Sequence, residues 1–212
     1  MSTLQIIGAP MSNFVRVVRM ACHEKGVGYD LVAVRPHSPE VKAISPIGKI
    51  PAMRHGDVTL FETRAICGYI DAVFPGPKLI PSEPLAAAMC EQWMSAVTTH
   101  VDNVLLRQYL IGYFFPGTPD GSPDRARIDA AVPKIGPVFA MLEVELTKHR
   151  YLGGDSFTLA DIMLFPLVNF LPRAPESAAL MQASPHLQAW FDGINARPSA
   201  VATVPPPPPP RS

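Results

Sequence analysis

The sequence predicts two domains: a small α/β domain, in the element order βαβ followed by ββα, and then an all-α helical domain. Three observations lead to this prediction. Short strand-like and helix-like runs alternate over roughly the first eighty residues. The stretch FPGPKLIPSEP at residues 74–84 has the composition of a linker. Beyond this stretch, apolar residues recur at helical spacing and no convincing strand follows.

The elements of the α/β domain are predicted from hydrophobic periodicity and from the positions of glycine. In chain order they are a strand at 4–7, a helix at 14–25, a strand at 29–34, a helical turn at 40–44, two strands at 51–54 and 58–60, and a helix at 62–74. Gly26 is expected to end the first helix, and Gly56 lies in the turn between the last two strands. The first two strands are therefore expected to pair in parallel and the last two as an antiparallel hairpin.

The second domain is predicted from helical patterns at residues 83–111, 124–150 and 185–196. Pro133 and Pro137 interrupt the second pattern, which predicts either one kinked helix or two short ones. Thr158 followed by Asp161 predicts a capping box at the start of a further apolar stretch. The predicted domains are residues 1–80, 81–204 and 205–212, and the last of these begins with six prolines and is expected to be a disordered tail.

Composition excludes several classes of function. Of the 212 residues, 17% are charged and the formal net charge is zero, so binding of nucleic acid or of a membrane surface is not expected. The most apolar stretch, residues 159–171, is too short to span a bilayer, and no secretory signal is expected at the N-terminus. The three cysteines favour a reducing, cytoplasmic location over a disulfide framework. The histidines show no metal-ligand spacing, so no metal is expected.

The turn between the first strand and the first helix contains one hydroxyl group, that of Ser12. From the residues alone, Ser12 is either the N-cap of the helix or a catalytic group, and the sequence leaves both interpretations open. Asn13 follows it and offers a side-chain amide. Arg16, one turn further on, either adds to the local positive potential or pairs with a carboxylate.

Several stretches, in this order, resemble the cytosolic glutathione transferases: GAPMSNFVRVV, SPIGKIPAM, LFETRAICGYI, YLGGDSFTLADI and HLQAWFDGINARPS. The resemblance covers the chain up to residue 204 and is greatest to the serine-using phi class. It implies a thioredoxin-like first domain, a helical second domain that lines the electrophile pocket, and activation of glutathione as a thiolate for attack on hydrophobic electrophiles and organic hydroperoxides. A non-catalytic carrier of glutathione or of hydrophobic ligands, with the same fold, is the alternative. A thiol reductase would need a cysteine at the active turn.

The resemblance implies a role in thiol activation for the first turn and a role in peptide binding for the SPIGKIP stretch. Ser12 is expected to donate its O–H to the glutathione sulfur, with Asn13 as a second donor. Pro51 is expected to follow a cis peptide bond. Ile50 would then pair through its backbone with the cysteinyl residue of glutathione, as an added strand does.

The two ends of glutathione are expected to bind polar groups elsewhere in the first domain. Glu62 would bind the γ-glutamyl amine, and Thr63 would bind the γ-glutamyl carboxylate at the start of a helix. Lys49 is expected to bind the glycyl carboxylate. His37 or Lys42 would be a second cation for that carboxylate, and the sequence does not decide between them.

The second substrate is expected to bind in an apolar pocket between the domains. Candidate lining residues are Met11, Phe14, Phe114 and Phe115, and for each of them core packing is an equal alternative. The resemblance further implies a homodimer, a role in detoxification, and glutathione as the co-substrate. The physiological electrophile does not follow from the fold.

Overall fold

The computed structural model describes residues 3–206, and the chain forms two compact units. Of the described residues, the first unit contains 3–80 together with 195–206, and the second unit is Pro81–Ile194. The division after Ile80 falls inside the predicted linker. Residues 195–204 belong to the first unit, whereas the sequence assigned them to the helical domain. Most of the predicted proline tail, residues 207–212, lies outside the described residues.

A mixed four-stranded sheet forms the centre of the first unit. Its strands are β1 (Leu4–Ile7), β2 (Tyr29–Val32), β3 (Ala52–His55) and β4 (Val58–Phe61), in the spatial order β2-β1-β3-β4. β1 pairs in parallel with β2 and antiparallel with β3, which places Ile6 between Leu31 and Met53. β3 and β4 form the predicted antiparallel hairpin. The predicted thioredoxin-like fold class is confirmed.

Three helices connect and cover these strands: α1 (Asn13–Lys25), α2 (Pro39–Lys42) and α3 (Thr63–Val73). α1 packs against α3. Val17, Val18 and Cys22 of α1 are fully buried, as their helical spacing predicts. Gly26 ends α1 in the left-handed conformation, with φ 67°. The hydrophobic periodicity of this region therefore located both the helix and its end.

The second unit is built from helical segments. In chain order they are α4 (Pro84–Ala96), a π-helix (Val97–Leu110), α5 (Ile111–Phe114), α6 (Arg125–Lys148), α7 (Leu159–Val168), a 3-10 turn (Leu171–Arg173), α8 (Pro175–Gln182) and α9 (Pro185–Asn195). The first predicted pattern is thus one continuous helical run whose central 14 residues are π-helical. Neither the π-helix nor α8 was predicted, because periodicity does not separate helix types and α8 is only 8 residues long.

α6 is one helix, although Pro133 and Pro137 lie inside it. Both prolines are exposed and are four residues apart. A proline cannot donate to the carbonyl four residues before it, so Asp129 and Pro133 lose an intrahelical donor. Asp129 and Pro133 are both exposed, and water can therefore satisfy their carbonyl groups. Of the two predicted alternatives, the single helix is the one found.

A last short helix, α10 (Pro198–Ala202), packs on α1. This packing is the reason that residues 195–204 belong to the first unit. α10 was not predicted, since five residues are too few for a periodic signal. Within residues 3–206, none of the helices combines the length and the apolar character needed to cross a bilayer.

Candidate active site

Ser12 lies at the N-terminus of α1, directly after the turn that leaves β1. Its backbone is extended, with φ −74° and ψ 130°, and its Oγ accepts a long hydrogen bond of 3.4 Å from the backbone N–H of Val15. Its backbone carbonyl accepts the first helical hydrogen bond, from the N–H of Arg16 at 2.9 Å. Ser12 is therefore the N-cap of α1, as one of the two interpretations of the sequence requires.

Capping leaves the hydroxyl proton of Ser12 available. A serine hydroxyl has one O–H donor and two acceptor lone pairs, and the N–H of Val15 uses only one lone pair. The side chain of Ser12 is half-buried, and no acidic residue occupies the first turn of α1. The positive end of the helix dipole is thus not neutralised by the helix itself. Ser12 can cap the helix and donate a hydrogen bond to an anion at the same time.

Asn13 and Arg16 are the two polar neighbours of Ser12 on the helix. Asn13 is the first residue of α1 and is half-buried. Arg16 is 1% exposed, and its guanidinium donates to the carbonyl of Ala200 at 3.1 Å and to Oγ1 of Thr203 at 3.4 Å. Asn13 therefore stays a candidate donor, whereas the guanidinium of Arg16 makes structural contacts with the C-terminal segment.

Glu62 precedes α3 in a backbone conformation that is rare for a residue with a side chain. Its φ is 71° and its ψ is 121°, and the N-terminus of α3 has no side-chain cap. Glu62 is exposed, and Thr63, the first residue of the helix, is 7% exposed. Such backbone strain costs about 1–3 kcal/mol and is concentrated at functional sites. A carboxylate beside an uncapped helix start suits a ligand that carries an amine next to a carboxylate.

The peptide bond between Ile50 and Pro51 is cis, as predicted. Ile50 is half-buried, and Pro51 is buried. Across residues 3–206, no hydrogen bond within the chain engages the backbone N–H or the carbonyl of Ile50. Both groups are hence available to an extended peptide, which can pair with them as a neighbouring strand does.

Gly8, at the end of β1, is a site residue that sequence reasoning missed. Its φ is 156°, and a Cβ at this position would lie 2.6 Å from Cγ2 of Val15 and 3.1 Å from Cβ of Ile50. Only glycine allows the chain to pass this close to both α1 and the loop of Ile50. The sequence feature that could have identified Gly8 is a glycine that lies between a predicted strand and a helix start that contains a hydroxyl residue.

Of the three residues predicted to bind the glycyl carboxylate, His37 contacts the loop that contains Lys49. His37 has a φ of 63°, and its backbone N–H donates to the carbonyl of Gly48 at 2.7 Å. Its ring packs directly against Gly48, because a Cβ on Gly48 would clash with Nδ1 of His37. Lys49 follows Gly48 and is exposed, and Lys42 is exposed at the end of α2. The structure therefore brings His37 to Gly48, the residue that precedes Lys49.

The predicted apolar residues differ in their surroundings. Met11 and Phe14 are half-buried and lie on either side of Ser12 in the chain. In the second unit, the ring of Phe114 packs edge-on against Phe170, with 5.5 Å between the ring centroids. Phe115 is 78% exposed. Packing within the second unit thus buries part of the Phe114 side chain and little of the Phe115 side chain.

No cysteine lies in the turn that contains Ser12. Cys22, Cys67 and Cys90 are free and buried. Burial raises the pKa of Cys22 to about 12 and raises the pKa of Cys67 well above its ordinary value. The thiolate that a thiol reductase needs is therefore disfavoured. Among the described residues, no group of three or more His, Cys, Asp and Glu side chains could hold a metal ion.

Comparison with known proteins identifies the family. A model of the glutathione S-transferase N-terminal domain matches residues 6–78, and a model of the C-terminal domain matches residues 104–198. The chain is 33% identical to glutathione S-transferase 3 of Zea mays, over 100% of this chain and 99% of that protein. Its fold matches glutathione transferase F7 from Populus trichocarpa with a TM-score of 0.86 and 32% identity, covering 95% of this chain and 97% of that one.

A further solved structure shows what one relative binds. Glutathione S-transferase I from mais, in complex with an atrazine glutathione conjugate, matches with a TM-score of 0.85 and 30% identity, over 95% of this chain and 96% of that one. The chain therefore belongs to the glutathione S-transferase family. The predictions of a phi-type glutathione transferase and of an enzyme, in preference to a non-catalytic carrier, are confirmed.

Proposed function

We propose that Ser12 holds the thiol of bound glutathione as a thiolate, which then attacks a hydrophobic electrophile. The observation that carries this proposal is that Ser12 caps α1 as a hydrogen-bond acceptor, so its O–H remains available to a sulfur anion. The thiol proton passes to solvent. The sulfur lone pair then forms a bond to the electrophilic carbon, and the leaving group departs with the electrons of the broken bond.

The energetic requirement on this site is modest. A cysteine thiol has a pKa of about 8.5, and a fall of about two units requires a preference for the thiolate of ~2.7 kcal/mol. The O–H of Ser12 supplies one charge-assisted hydrogen bond. The N–H groups in the first turn of α1 and the helix dipole add to it, since no acidic side chain occupies that turn. Asn13 is proposed as a second donor.

The same thiolate would act on organic hydroperoxides. Its sulfur attacks the terminal peroxide oxygen, the O–O bond breaks, and an alcohol leaves after it takes up a proton. The oxidised sulfur then reacts with a second glutathione to give the disulfide and water. Both reactions begin with the same thiolate, so Ser12 would serve both.

The γ-glutamyl end of glutathione is proposed to bind at the start of α3. The exposed carboxylate of Glu62 would pair with the amine, and the Thr63 hydroxyl and backbone N–H would bind the adjacent carboxylate. The strained backbone of Glu62 and the uncapped helix start support this assignment.

The rest of glutathione is proposed to bind along the loop that contains Lys49 and Ile50. The backbone N–H and carbonyl of Ile50, before cis Pro51, would pair with the cysteinyl residue. Lys49 and His37 would bind the glycyl carboxylate, and the contact of His37 with Gly48 favours it over Lys42.

Met11, Phe14, Phe114 and Phe115 are proposed as apolar residues that contact the electrophile. The exposure of Phe115 is compatible with this role, because its ring is accessible to a ligand. We further propose that the protein is a cytoplasmic homodimer and that it acts in detoxification. No nucleic acid or membrane partner is proposed. Three free, buried cysteines support a reducing location.

The test of this function is the ultraviolet absorbance of the glutathione thiolate, measured against pH on wild type and on Ser12→Ala. We expect wild type to show a thiol pKa about two units below that of free glutathione and Ser12→Ala to raise it toward the free value. Asn13→Ala is the matched control at the neighbouring position, and a smaller rise is expected for it. Glutathione affinity is measured in parallel, since a variant that no longer binds gives no thiol titration.

Two results would contradict the proposal. An unshifted thiol pKa in wild-type enzyme that binds glutathione would mean that the site does not activate the thiol. An equal pKa in wild type and Ser12→Ala would mean that Ser12 only caps the helix, and a larger effect of Asn13→Ala would assign the role to Asn13.

A further inference from the structure

The C-terminal segment of the chain is attached to both ends of α1. At the first turn, the guanidinium of Arg16 donates to the carbonyl of Ala200 at 3.1 Å and to Oγ1 of Thr203 at 3.4 Å. At the last turn, Glu24 accepts two hydrogen bonds from Arg197, at 2.8 and 2.7 Å. Arg197 directly precedes α10, Ala200 lies within it and Thr203 follows it, so this one short helix is fixed to α1 at two places.

The attachment at the first turn is buried and specific. Arg16 is 1% exposed and Thr203 is fully buried. The hydroxyl of Thr203 in turn donates to the carbonyl of Ser199 at 2.7 Å, so its oxygen is held in place by α10. A buried arginine that donates to fixed oxygen atoms has a defined orientation, and its planar fork cannot be replaced by the single ammonium of lysine without loss of one of these contacts.

Arg16 is also hydrogen-bonded, through its backbone, to Ser12, the residue proposed to activate the thiol. The backbone N–H of Arg16 donates to the carbonyl of Ser12 at 2.9 Å, which is the first helical hydrogen bond of α1. The position of Ser12 relative to the rest of the first unit is thus coupled to the side-chain contacts of Arg16. A misplacement of a catalytic donor by about 1 Å lowers rates by about 100-fold, so a device that fixes this turn affects catalysis.

We propose that Arg16 is a positioning residue for Ser12, and that α10 acts through Arg16 to hold the Ser12 hydroxyl where it meets the glutathione sulfur. This inference rests on the proposed function of Ser12. It gives the C-terminal segment, which the sequence placed in the helical domain, a part in thiol activation within the first unit.

The experiment compares variants at the two ends of the same attachment. Arg16→Lys keeps the charge and removes the fork, and Thr203→Val removes the hydroxyl acceptor while keeping the shape of the side chain. Arg197→Lys is the matched control, because it weakens the attachment at the far end of α1. For each variant, the thiol pKa of bound glutathione, the affinity for glutathione and the thermal midpoint are measured.

We expect all three variants to lower the thermal midpoint, because each loses a contact between α10 and α1. Only Arg16→Lys and Thr203→Val are expected to raise the thiol pKa, by about 0.5–1 unit, which is about a three- to tenfold loss of thiolate at a pH below the pKa. Their affinity for glutathione should change less than about threefold, since neither residue is proposed to touch the ligand. A role confined to stability would move the midpoint and leave the titration unchanged.

The outcomes separate this inference from the proposed function. If Ser12→Ala raises the thiol pKa but Arg16→Lys and Thr203→Val leave it at the wild-type value, the proposed function stands and the positioning role is wrong. The inference also fails if Arg197→Lys raises the thiol pKa as much as they do. If Ser12→Ala leaves the pKa unchanged, the proposed function fails and the positioning role fails with it. Should Arg16→Lys not fold, Thr203→Val decides between the first two outcomes.

Discussion

The N-termini of α1 and α7 have the same kind of cap residue but differ in exposure and in the third residue of the helix. Each starts with a hydroxyl residue whose oxygen accepts a hydrogen bond from the first turn, at 3.4 Å for Ser12 and 3.3 Å for Thr158. Ser12 is half-buried, whereas Thr158 is 6% exposed. The third residue of the helix differs, since it is Val15 in α1 and Asp161 in α7.

Asp161 closes the N-terminus of α7 from inside the protein. Its carboxylate accepts hydrogen bonds from the backbone N–H of Thr158 at 2.9 Å, from the N–H of Leu152 at 2.9 Å and from Nε1 of Trp190 at 2.9 Å. Burial raises the pKa of Asp161 to about 6, although each of these donors favours the ionised form. At α1, no side chain takes this place, and we propose that the glutathione thiolate does.

The comparison shows which helix starts can serve a ligand. A hydroxyl cap alone does not distinguish a structural N-terminus from a binding one, because both helices have it. An acidic residue in the first turn satisfies the helix dipole internally, as in α7. The absence of such a residue, as in α1, leaves the dipole available to an external anion.

The largest effect on stability is expected from Asp161→Asn. The substitution replaces one carboxylate oxygen, which accepts hydrogen bonds, with an NH2 group, which donates them. This NH2 group would face backbone or indole N–H donors, so buried polar groups lose their acceptor. We expect a loss of about 2–4 kcal/mol in the free energy of unfolding, measured in urea. Thr158→Ser, which keeps the hydroxyl cap, should lose less than about 1 kcal/mol. Equal losses would show that the carboxylate is not the main element of this cap.

Ser12→Ala should show the opposite profile at α1. The capping bond is long and half-exposed, so the free energy of unfolding should fall by about 0.5–1 kcal/mol. Removal of the donor to the thiolate should lower kcat/KM for an electrophile about 100-fold, as loss of one donor to a developing anion does. A stability loss as large as that of Asp161→Asn, with activity unchanged, would make α1 a structural N-terminus as well.

This difference could be anticipated from the sequence because it is local. The spacing of Thr158 and Asp161 predicts the capping box, and Ser12 has no acidic residue three positions later. Periodicity also located the strands and most helices, usually within two residues of the observed ends. The predicted roles of the glutathione-binding residues, in contrast, come from the family resemblance and stay predictions.

What the sequence did not reveal depends on long-range contacts. The bond between Arg16 and Ala200 joins residues 184 positions apart, and the contact of His37 with Gly48 depends on how a loop folds back. Gly8 is required by the approach of Val15 and Ile50, which no local pattern encodes. Tertiary packing selects these features, so single-sequence periodicity has no means to predict them.

The pH dependence of stability should differ in sign between Asp161 and Glu176. The folded pKa of Asp161 is about 6 against an ordinary value of 3.8, so the stability it contributes is present below about pH 4 and is lost as the pH rises through 6. Burial opposes ionisation of Glu176, but donors such as Tyr113 and Arg125 outweigh it and lower its pKa to about 2. Its contribution is present above pH 4.5 and is lost as the pH falls toward 2.

Urea unfolding of wild type, Asp161→Asn and Glu176→Gln between about pH 2.5 and pH 7 tests this assignment. The gap between wild type and Asp161→Asn should narrow as the pH rises from 4 to 6, by at most about 1.4 kcal/mol per unit. The gap for Glu176→Gln should instead narrow as the pH falls below its ordinary pKa of 4.5. If both differences in the free energy of unfolding, for Asp161→Asn and for Glu176→Gln, narrow in the same pH direction, at least one of the two pKa shifts has the wrong sign.

The smallest expected effect comes from Asn13→Asp, which gives α1 the acidic first turn that α7 has. Asn13 is half-buried at the first position of the helix, so a carboxylate there should interact with the helix dipole and raise the free energy of unfolding by about 0.3–1 kcal/mol. The same charge would repel the glutathione thiolate and raise its pKa. Asn13→Ala is the control, since it removes the amide without adding charge. If Asn13→Asp stabilises the protein and leaves the thiol pKa at the Asn13→Ala value, the thiolate does not lie at this helix end.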